Sequence, residues 1–283
     1  MTENIITASG VALTHLTSRA NPRLQLLAAL GGEARERRLR GQTLLDGAHL
    51  LGCALDAGIP LLDVCVSESG CRNPEIAALL SRLPAEINPV CVPDALFARL
   101  SPVDTPTGIL ARIAFPSLEI PCHAEQETLI VLDGIQDPGN LGTILRTAAA
   151  AGVPQAWLTP GCAQAWSPRV LRAGMGAHFQ LRIHERVEPV AGLAAYPGKV
   201  IAAVGGTESR MLFDADLRGD VAWIFGAEGR GVSPALLTRT DEVLHIPMKQ
   251  GIESLNVAAA AAICLFEQVR QRGGFVPIVP KVS

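Results

Sequence analysis

The sequence predicts an α/β protein of two domains, and three observations support that prediction. Short runs rich in Val, Ile and Leu alternate with Ala- and Leu-rich runs along nearly the whole chain, which is typical of α/β architecture. The length of 283 residues fits two domains, at about 150 residues for each. Hydrophobic residues make up 48% and charged residues 18%, so the chain can fill two cores and is not disordered.

The first predicted domain covers residues 1–115, and it alternates helices with strands. A long helix is predicted over about residues 22–40, and a short strand follows near Gln42–Asp46. The remaining predicted elements are helix Ala48–Ala57, strand Leu62–Ser67, helix Pro74–Leu83, strand Ile87–Val92, helix Pro93–Leu100 and strand Gly108–Phe115. This alternation predicts a small α/β unit.

A linker is predicted at residues 116–127, which contain two prolines, three glutamates and no periodicity. The second predicted domain covers residues 128–283 and opens with the apolar run Thr128–Asp133, typical of a strand buried on both faces. Further strands are predicted at Ala156–Thr159, Gln180–His184, Val200–Val204, Val221–Phe225 and Val243–Ile246. A final helix is predicted from about Ser254 to Arg272.

Charge and composition limit the classes of function. A net charge of -3 excludes a uniformly basic coat, so any contact with nucleic acid must be local. Seven Phe, three Trp and one Tyr argue against a base-stacking platform. The seven cysteines contain no C-x-x-C pair, which indicates free thiols in a reducing compartment. Without a signal sequence or an unbroken apolar span, a cytoplasmic location is expected.

Three glycine-containing corners each follow a predicted strand of the second domain, where ligands of parallel sheets collect. The first corner runs from Leu132 to Thr147, with a turn at Asp137-Pro-Gly and a helix predicted to start near Asn140. The free N–H groups of that helix start could receive an anion. A simpler alternative makes Asn140 a helix cap and Arg146 a surface charge.

The second corner runs from Ile224 to Pro234 and holds three glycines within six residues. These glycines allow a close approach of the backbone to a ligand and place Glu228 at an exposed tip. Ser233 and Pro234 predict the cap and first position of a helix. The sequence is neither a Walker loop nor a G-x-G-x-x-G motif, so a turn without a ligand is the alternative.

The third corner runs from Ile246 to Asn256 and leads into an alanine-rich helix. Ser254 is predicted to cap that helix, with Asn256 at its second helical position; pure capping is the alternative role of both. Elsewhere, the six histidines are isolated and no G-x-S-x-G sequence occurs. No metal site is therefore expected.

Together, the three corners resemble the three motifs of the SpoU (TrmH-type) RNA 2′-O-ribose methyltransferases. The matching sequences are D-P-G-N-x-G-x-x-x-R from Asp137, F-G-x-E-G-x-G from Phe225 and I-P-M…S-L-N-V-A from Ile246. The resemblance covers residues 129 to about 267. The first domain resembles the ribosomal-protein-like substrate-binding domain that often precedes this unit. Its matching segments are Ser18–Pro22, Leu45–His49 and Thr105–Ala111.

The resemblance implies a trefoil-knot fold of the SPOUT superfamily, an S-adenosyl-L-methionine pocket in the knot and a homodimer. It implies a pocket lined by Gly226, Ile246 and Leu255, with Gly205, Glu228, Met248 and Gly251 nearby. It assigns the catalytic region to Asn140, Arg146, Glu228, Ser254 and Asn256. Two roles for Arg146 stay open: general base for the ribose hydroxyl, or clamp on a phosphate.

Structured RNA, ribosomal RNA before transfer RNA, is the expected substrate. The candidate phosphate contacts are Arg19, Arg23, Arg35, Arg37, Arg38 and Arg40, which give residues 19–40 a net charge of +4. A solvated helix face is the alternative for this cluster. For the whole protein, the alternative function is a non-catalytic RNA-binding or assembly factor that keeps the knot fold. A nucleotide-phosphate enzyme is disfavoured because the P-loop lysine is missing.

Overall fold

The structure is a computed structural model that describes residues 4–6, 10–103, 105–116, 118–119, 125, 127–206 and 209–274. Within the chain, contacts define two compact units. The first contains residues 1–118 and 164–180, and the second contains residues 119–163 and 181–283. Most of the predicted linker at 116–127, and the tail beyond residue 274, lie outside the described residues.

Strands and helices alternate through the described residues, as the sequence predicts. The strands are β1 (Asn4–Ile6), β2 (Ala12–His15), β3 (Gln42–Asp46), β4 (Leu61–Ser67), β5 (Val90–Val92), β6 (Ile109–Ala114), β7 (Leu129–Asp133), β8 (Gln155–Leu158), β9 (Arg182–Glu185), β10 (Lys199–Ala203), β11 (Arg210–Met211), β12 (Val221–Gly226) and β13 (Glu242–His245). The α-helices are α1 (Pro22–Gly32), α2 (Ala34–Arg40), α3 (Ala48–Asp56), α4 (Pro74–Leu80), α5 (Asp94–Leu100), α6 (Pro138–Ala150), α7 (Pro168–Gly174), α8 (Pro189–Leu193), α9 (Pro234–Leu237) and α10 (Val257–Gln271).

The first unit is built on a six-stranded sheet in the order β1-β2-β5-β4-β6-β3. Strands β2, β5 and β4 are parallel, whereas β6 runs antiparallel to both of its neighbours. Helix α1 buries Leu24, Leu27 and Leu30 in a core that includes Val90 and Phe97. The short strands β1 and β2 at the edge of this sheet were not predicted, because the sequence shows no clear alternation there.

The single helix predicted over residues 22–40 is wrong, because the chain forms two helices. Glu33 adopts an extended conformation with φ of -110° and ψ of 111°, and its N–H donates to the carbonyl of Ala29. Gly31 and Gly32 precede this break, and glycine lowers helix stability by about 1 kcal/mol relative to alanine. Helix α2 then ends at Gly41, whose φ of 61° suits a residue without a side chain.

Residues 164–180 belong to the first unit, although the prediction placed them in the second domain. The indole of Trp166 stacks on Phe115 with ring centroids 5.5 Å apart, and the hydroxyl of Thr43 donates to the Trp166 carbonyl at 2.6 Å. Trp166 is 3% exposed. Burial of this aromatic residue against β3 therefore holds residues 164–180 in the first unit. A domain boundary drawn at one position of the sequence cannot show that a later segment returns to the first unit.

The second unit is built on a parallel seven-stranded sheet in the order β11-β13-β10-β12-β7-β8-β9. Helices α6 and α10 pack against each other. The indole of Trp223 on β12 is fully buried and donates to Gln268 Oε1 of α10 at 2.8 Å. The carboxyl ends of β10, β12, β13 and β7 are neighbours in this sheet, which brings the three predicted corners to one edge.

None of the described helices combines the length and the apolar character that crossing a membrane requires.

Candidate functional site

A pocket lies at the carboxyl edge of the second unit's sheet. The space within it is about 740 Å³, which includes volume open to solvent. Most of the residues that the sequence predicted for a cofactor line it, namely Gly205, Gly226, Glu228, Ile246, Met248 and Leu255. The predicted catalytic residue Ser254 lines it as well. Gly251 is exposed and does not line the pocket.

The three corners meet in a hydrogen-bond network beside the pocket. Asn140 Nδ2 donates to Glu228 Oε1 at 2.9 Å. Asn256 Nδ2 donates to the same carboxylate oxygen at 2.8 Å and to Asn140 Oδ1 at 2.9 Å. Because one amide carbonyl accepts and both amide groups donate to a carboxylate, the network fixes the orientation of both side-chain amides. Glu228 is thus shared by the network and the pocket.

Two helix N-caps are residues other than Asn140 and Ser254, the capping candidates of the sequence. Asp137 caps α6 by accepting from the N–H of Asn140 at 2.7 Å, so Asn140 is not the cap. Asn256 caps α10 by accepting from the N–H groups of Ala258 and Ala259, so Ser254 is not the cap. Helix α10 begins at Val257, three residues later than predicted, since the chain from residue 252 to 256 stays irregular.

Arg146 lies apart from this network. It is exposed on α6, six residues beyond Asn140, which is about 9 Å along a helix axis. At about 100° per residue, the two side chains leave the helix on different sides. Within the described part of the chain, the side chain of Arg146 makes no hydrogen bond or ion pair. Its guanidinium is therefore available to a substrate or to a second subunit.

Asp133, at the end of β7, is a structural residue of the site that the predictions missed. Its Oδ2 accepts from the N–H of Ser233 at 2.8 Å, and its Oδ1 accepts from the hydroxyl of Thr159 at 3.1 Å. Asp133 therefore joins the first corner to the chain that leaves the second corner. A carboxylate directly after the apolar run Leu129–Leu132, at a strand end where ligands collect, was the available signal.

The glycine of the second corner is required by the turn itself. A Cβ atom at Gly226 would overlap the backbone of Gly231, which the isolated bridge between Ala227 and Gly231 brings close. At Gly205, by contrast, an added Cβ would lie 3.5 Å from the Glu253 carbonyl, an ordinary contact. An internal contact is therefore enough to exclude a side chain at Gly226, a residue that also lines the pocket.

A thiol also lies near the first corner. Cys162 donates to the Leu132 carbonyl at 3.2 Å, and burial raises the pKa of this thiol. The Cys162 thiol is therefore neutral at pH 7. Among the described residues, no group of three or more His, Cys, Asp and Glu side chains is placed to hold a metal ion.

The basic cluster of the first unit divides into two classes. Arg37 is 5% exposed and donates to Leu30 O at 2.7 Å and to Gln164 Oε1 at 2.8 Å, so its proposed phosphate contact is wrong. Arg23 donates to the buried Asp63 and to Asn88 O, so the phosphate contact that was expected of Arg23 is wrong as well. The exposed members are Arg19, Arg35, Arg38 and Arg40.

Known families match both parts of the chain. The profile of the SpoU rRNA Methylase family matches residues 127–266, and the profile of the MRM3-like substrate binding domain matches residues 21–111. An uncharacterised tRNA/rRNA methyltransferase of Synechocystis is 34% identical over 92% of this chain and 95% of its own length. The chain belongs to the SpoU rRNA methylase family.

Other SpoU relatives add an activity by name. The 23S rRNA (guanosine(2553)-2′-O)-methyltransferase RlmP of Bacillus subtilis is 32% identical over 82% of this chain and 90% of its own length. The crystal structure of an RNA 2′-O ribose methyltransferase has a TM-score of 0.78 at 33% identity, over 91% of this chain and 99% of that one. An AdoMet-bound rRNA methyltransferase from Sinorhizobium meliloti has a TM-score of 0.79 at 26% identity, over 91% and 98%.

The SpoU pocket of this chain suits S-adenosyl-L-methionine, the cofactor of the family. Its apolar side chains, among them Ile246, Met248 and Leu255, can enclose the adenine ring. Backbone groups at Gly205 and Gly226 can serve the polar atoms, and the Glu228 carboxylate suits the positive charge of a sulfonium. When bound, the cofactor supplies an electrophilic methyl group.

Proposed function

We propose that this protein transfers a methyl group from S-adenosyl-L-methionine to a ribose 2′-hydroxyl of 23S ribosomal RNA. The observation that carries the proposal is the position of Glu228, which lines the pocket and also accepts both amide hydrogen bonds of the network. A side chain shared in this way couples cofactor binding to the residues of all three family motifs. The named relatives of this chain support ribosomal RNA as the substrate.

The chain's own residues would orient the reactants. Asn140, Glu228 and Asn256 hold the starts of α6 and α10 and the second corner in one geometry. Ser254 adds a hydroxyl at the pocket wall. Holding two reactants in line contributes about 7–11 kcal/mol of barrier reduction in favourable cases. Methylation of the ribose O2′ would convert the sulfonium to a thioether and release the hydroxyl proton to solvent, while these residues hold the hydroxyl in place.

Arg146 is proposed to act on the substrate. An arginine guanidinium keeps its proton at neutral pH, which favours a phosphate clamp over a general base. Its exposure, and its lack of a partner within the described residues, support the clamp. Two parallel N–H donors on one phosphate would orient the neighbouring ribose. A charged guanidinium would also stabilise the alkoxide character that develops on O2′ as its proton leaves.

We further propose a homodimer and a knotted C-terminal segment. Helix α10 exposes Phe266, which is 45% accessible, and Ala259 seven residues earlier on the same face. An apolar stripe at this spacing suits a helix interface. The knot is supported by segment 246–256, which joins β13 to α10 and contributes to the pocket together with the ends of β10 and β12. Light scattering should show that Phe266→Glu converts a dimer into a monomer; an unchanged mass would remove α10 from the interface.

RNA contact is assigned to the exposed arginines of the first unit, and the location to the cytoplasm. Arg35 and Arg38 are one turn apart on α2, so they can contact neighbouring phosphates.

The proposed cytoplasmic location is supported by the cysteines. Free thiols fit a reducing compartment, and the six described cysteines form no disulfide.

Mapping of ribose methylation tests the proposed function in cells. A 2′-O-methyl group protects its phosphodiester from alkaline cleavage, because the attacking hydroxyl is gone. We expect one 23S ribosomal RNA position to lose this protection in cells that lack the protein, and to regain it with the wild-type gene. Loss of protection at no RNA position would favour the non-catalytic assembly factor.

A further inference from the structure

A second pocket lies in the first unit, at the edge of the sheet where β4 and β5 end. Its polar lining includes Ser67, Ser69, Asn73, Asp94 and Thr107, with the backbone of Gly108. The space within it is about 750 Å³, part of it open to solvent. None of the residues proposed for methyl transfer lines it.

The hydroxyl groups of this pocket are ordered by a directional chain of hydrogen bonds. Ser69 Oγ donates its one proton to Asp94 Oδ1 at 2.8 Å, so Ser67 Oγ must be the donor in its 3.0 Å contact with Ser69 Oγ. Ser67 Oγ in turn accepts from the N–H of Gly70 at 2.9 Å. Both hydroxyl protons are therefore used within the protein, and neither is available to a ligand.

The remaining capacity of the pocket is mainly that of an acceptor. The N–H and the hydroxyl of Ser69 both end on Asp94 Oδ1, which leaves the lone pairs of Oδ2 for a ligand. These two bonds hold the pKa of Asp94 below its ordinary value, so the carboxylate is charged at pH 7. Asn73 uses its Oδ1 to cap α4, which leaves its Nδ2 group as a donor.

The pocket is preformed by a close backbone approach. The N–H of Ser67 donates to the Gly108 carbonyl at 2.9 Å. A Cβ atom at Gly70 would overlap that same carbonyl, and Gly108 has a φ of +93°. Both positions therefore require glycine, and the walls around Ser67 and Asp94 are fixed without a ligand.

We propose that this pocket binds an unpaired guanine base of the RNA substrate. The Watson–Crick edge of guanine presents two adjacent N–H donors, which can converge on the free Oδ2 of Asp94, and a carbonyl oxygen, which matches the Asn73 amide. A phosphate does not match, because no Lys or Arg lines the pocket and the charge of Asp94 repels it. Uracil offers one N–H between two carbonyl oxygens, so it satisfies the carboxylate less well.

Binding of short RNAs to the full-length protein tests the proposal. The proposal rests on the proposed function in one respect, namely that the substrate is RNA. Labelled heptanucleotides with guanosine or adenosine at the centre of a uridine run are compared with the all-uridine heptamer by fluorescence anisotropy. We expect the guanosine RNA to bind about tenfold more tightly than the other two. Equal affinity of the three RNAs would overturn the proposal.

The substitution Asp94→Asn keeps the acceptor for Ser69 but replaces the free carboxylate oxygen with an amide NH2 group, which donates. We expect it to abolish the preference for guanosine, with an unchanged melting temperature. Asp56→Asn is the control, because Asp56 is exposed in the same unit and pairs with Arg82 outside the pocket. A preference that survives Asp94→Asn would overturn the proposal. Methyl transfer is measured separately, so a guanosine preference without methyl transfer would contradict only the proposed function.

Discussion

Asn256 donates a 2.9 Å hydrogen bond to Asn140 across 116 residues of sequence. The bond joins the first turn of α6 to the N-cap of α10, and Glu228 accepts from both amides. The Oδ1 atom of Asn256 therefore accepts from the backbone of α10, while its Nδ2 group donates to the site. These two roles can be separated by substitution.

Asn256→Asp is expected to lower methyl transfer at least tenfold without unfolding the protein. Aspartate is as good an N-cap as asparagine, so the bonds to Ala258 and Ala259 persist. The two amide donors are lost, and a second carboxylate then faces Glu228. Initial rates and thermal melting are the measurements. Wild-type rates in this variant would show that the network does not support catalysis.

Gln268→Leu is expected to destabilise the second unit by about 1–3 kcal/mol, because it leaves the indole N–H of Trp223 buried without a partner. Urea unfolding measures the loss. The double variant Trp223→Phe, Gln268→Leu removes both partners, so its loss should be smaller than the sum of the two single losses. Additive losses would show that the bond does not contribute.

His178 predicts a pH dependence of stability. It is 2% exposed, and burial lowers its pKa to about 4 from 6.5. The unfolded chain therefore binds a proton between pH 6.5 and pH 4 that the folded chain excludes, and stability falls as the pH falls through this window. From pH 6.5 to pH 5 the loss should be about 1.6 kcal/mol.

The matched variant His178→Phe should remove that part of the pH dependence. Its lower absolute stability, from the lost bond to the Ala165 carbonyl, does not affect the slope. Urea unfolding of both proteins at pH 6.5 and pH 5 gives the comparison. Equal slopes for the two proteins would show that His178 titrates normally.

The double reversal Arg35→Glu, Arg38→Glu is expected to weaken RNA binding and to lower the salt slope by about 2. Both side chains are exposed. The control Arg82→Glu changes another exposed arginine of the first unit, which pairs with Asp56, and should leave the slope unchanged. An unchanged slope in the double reversal would exclude α2 from the RNA interface.

Arg37→Met should instead lower stability, because Arg37 is buried and bonded to Leu30 O and Gln164. Removing one partner of a buried charged hydrogen bond costs about 1–3 kcal/mol. Its effect on the salt slope should be nil if the variant is measured well below its melting temperature. A reduced slope would restore Arg37 to the RNA interface.

Elements with a strong local signal were predictable from the sequence. The strand Gln42–Asp46 has the predicted bounds, and Ser233 occupies the predicted N-cap position of α9, although its side chain makes no capping hydrogen bond. The exact start of each helix depended on which of several nearby polar side chains accepts the free N–H groups. Asp137 and Asn256 accept them, and Asn140 and Ser254 do not. Sequence position alone could not show which of several neighbouring polar side chains reaches the backbone.

Long-range relationships were predictable only through motif resemblance or not at all. Convergence of Asn140, Glu228 and Asn256 follows from strand ends that meet at one edge of the sheet. The internal role of Arg37 did not follow, because it depends on Gln164, 127 residues away. Periodicity describes one element at a time and carries no information about such partners.

Methyl transfer by the purified protein tests the central claim most directly. The protein is incubated with S-adenosyl-L-methionine that carries a labelled methyl group and with 23S ribosomal RNA from cells that lack this protein. The RNA is then digested to nucleosides. We predict label in one 2′-O-methylnucleoside, and no transfer by Arg146→Ala although calorimetry still detects cofactor binding. Label on a base, or no label with folded wild-type protein, would contradict the account.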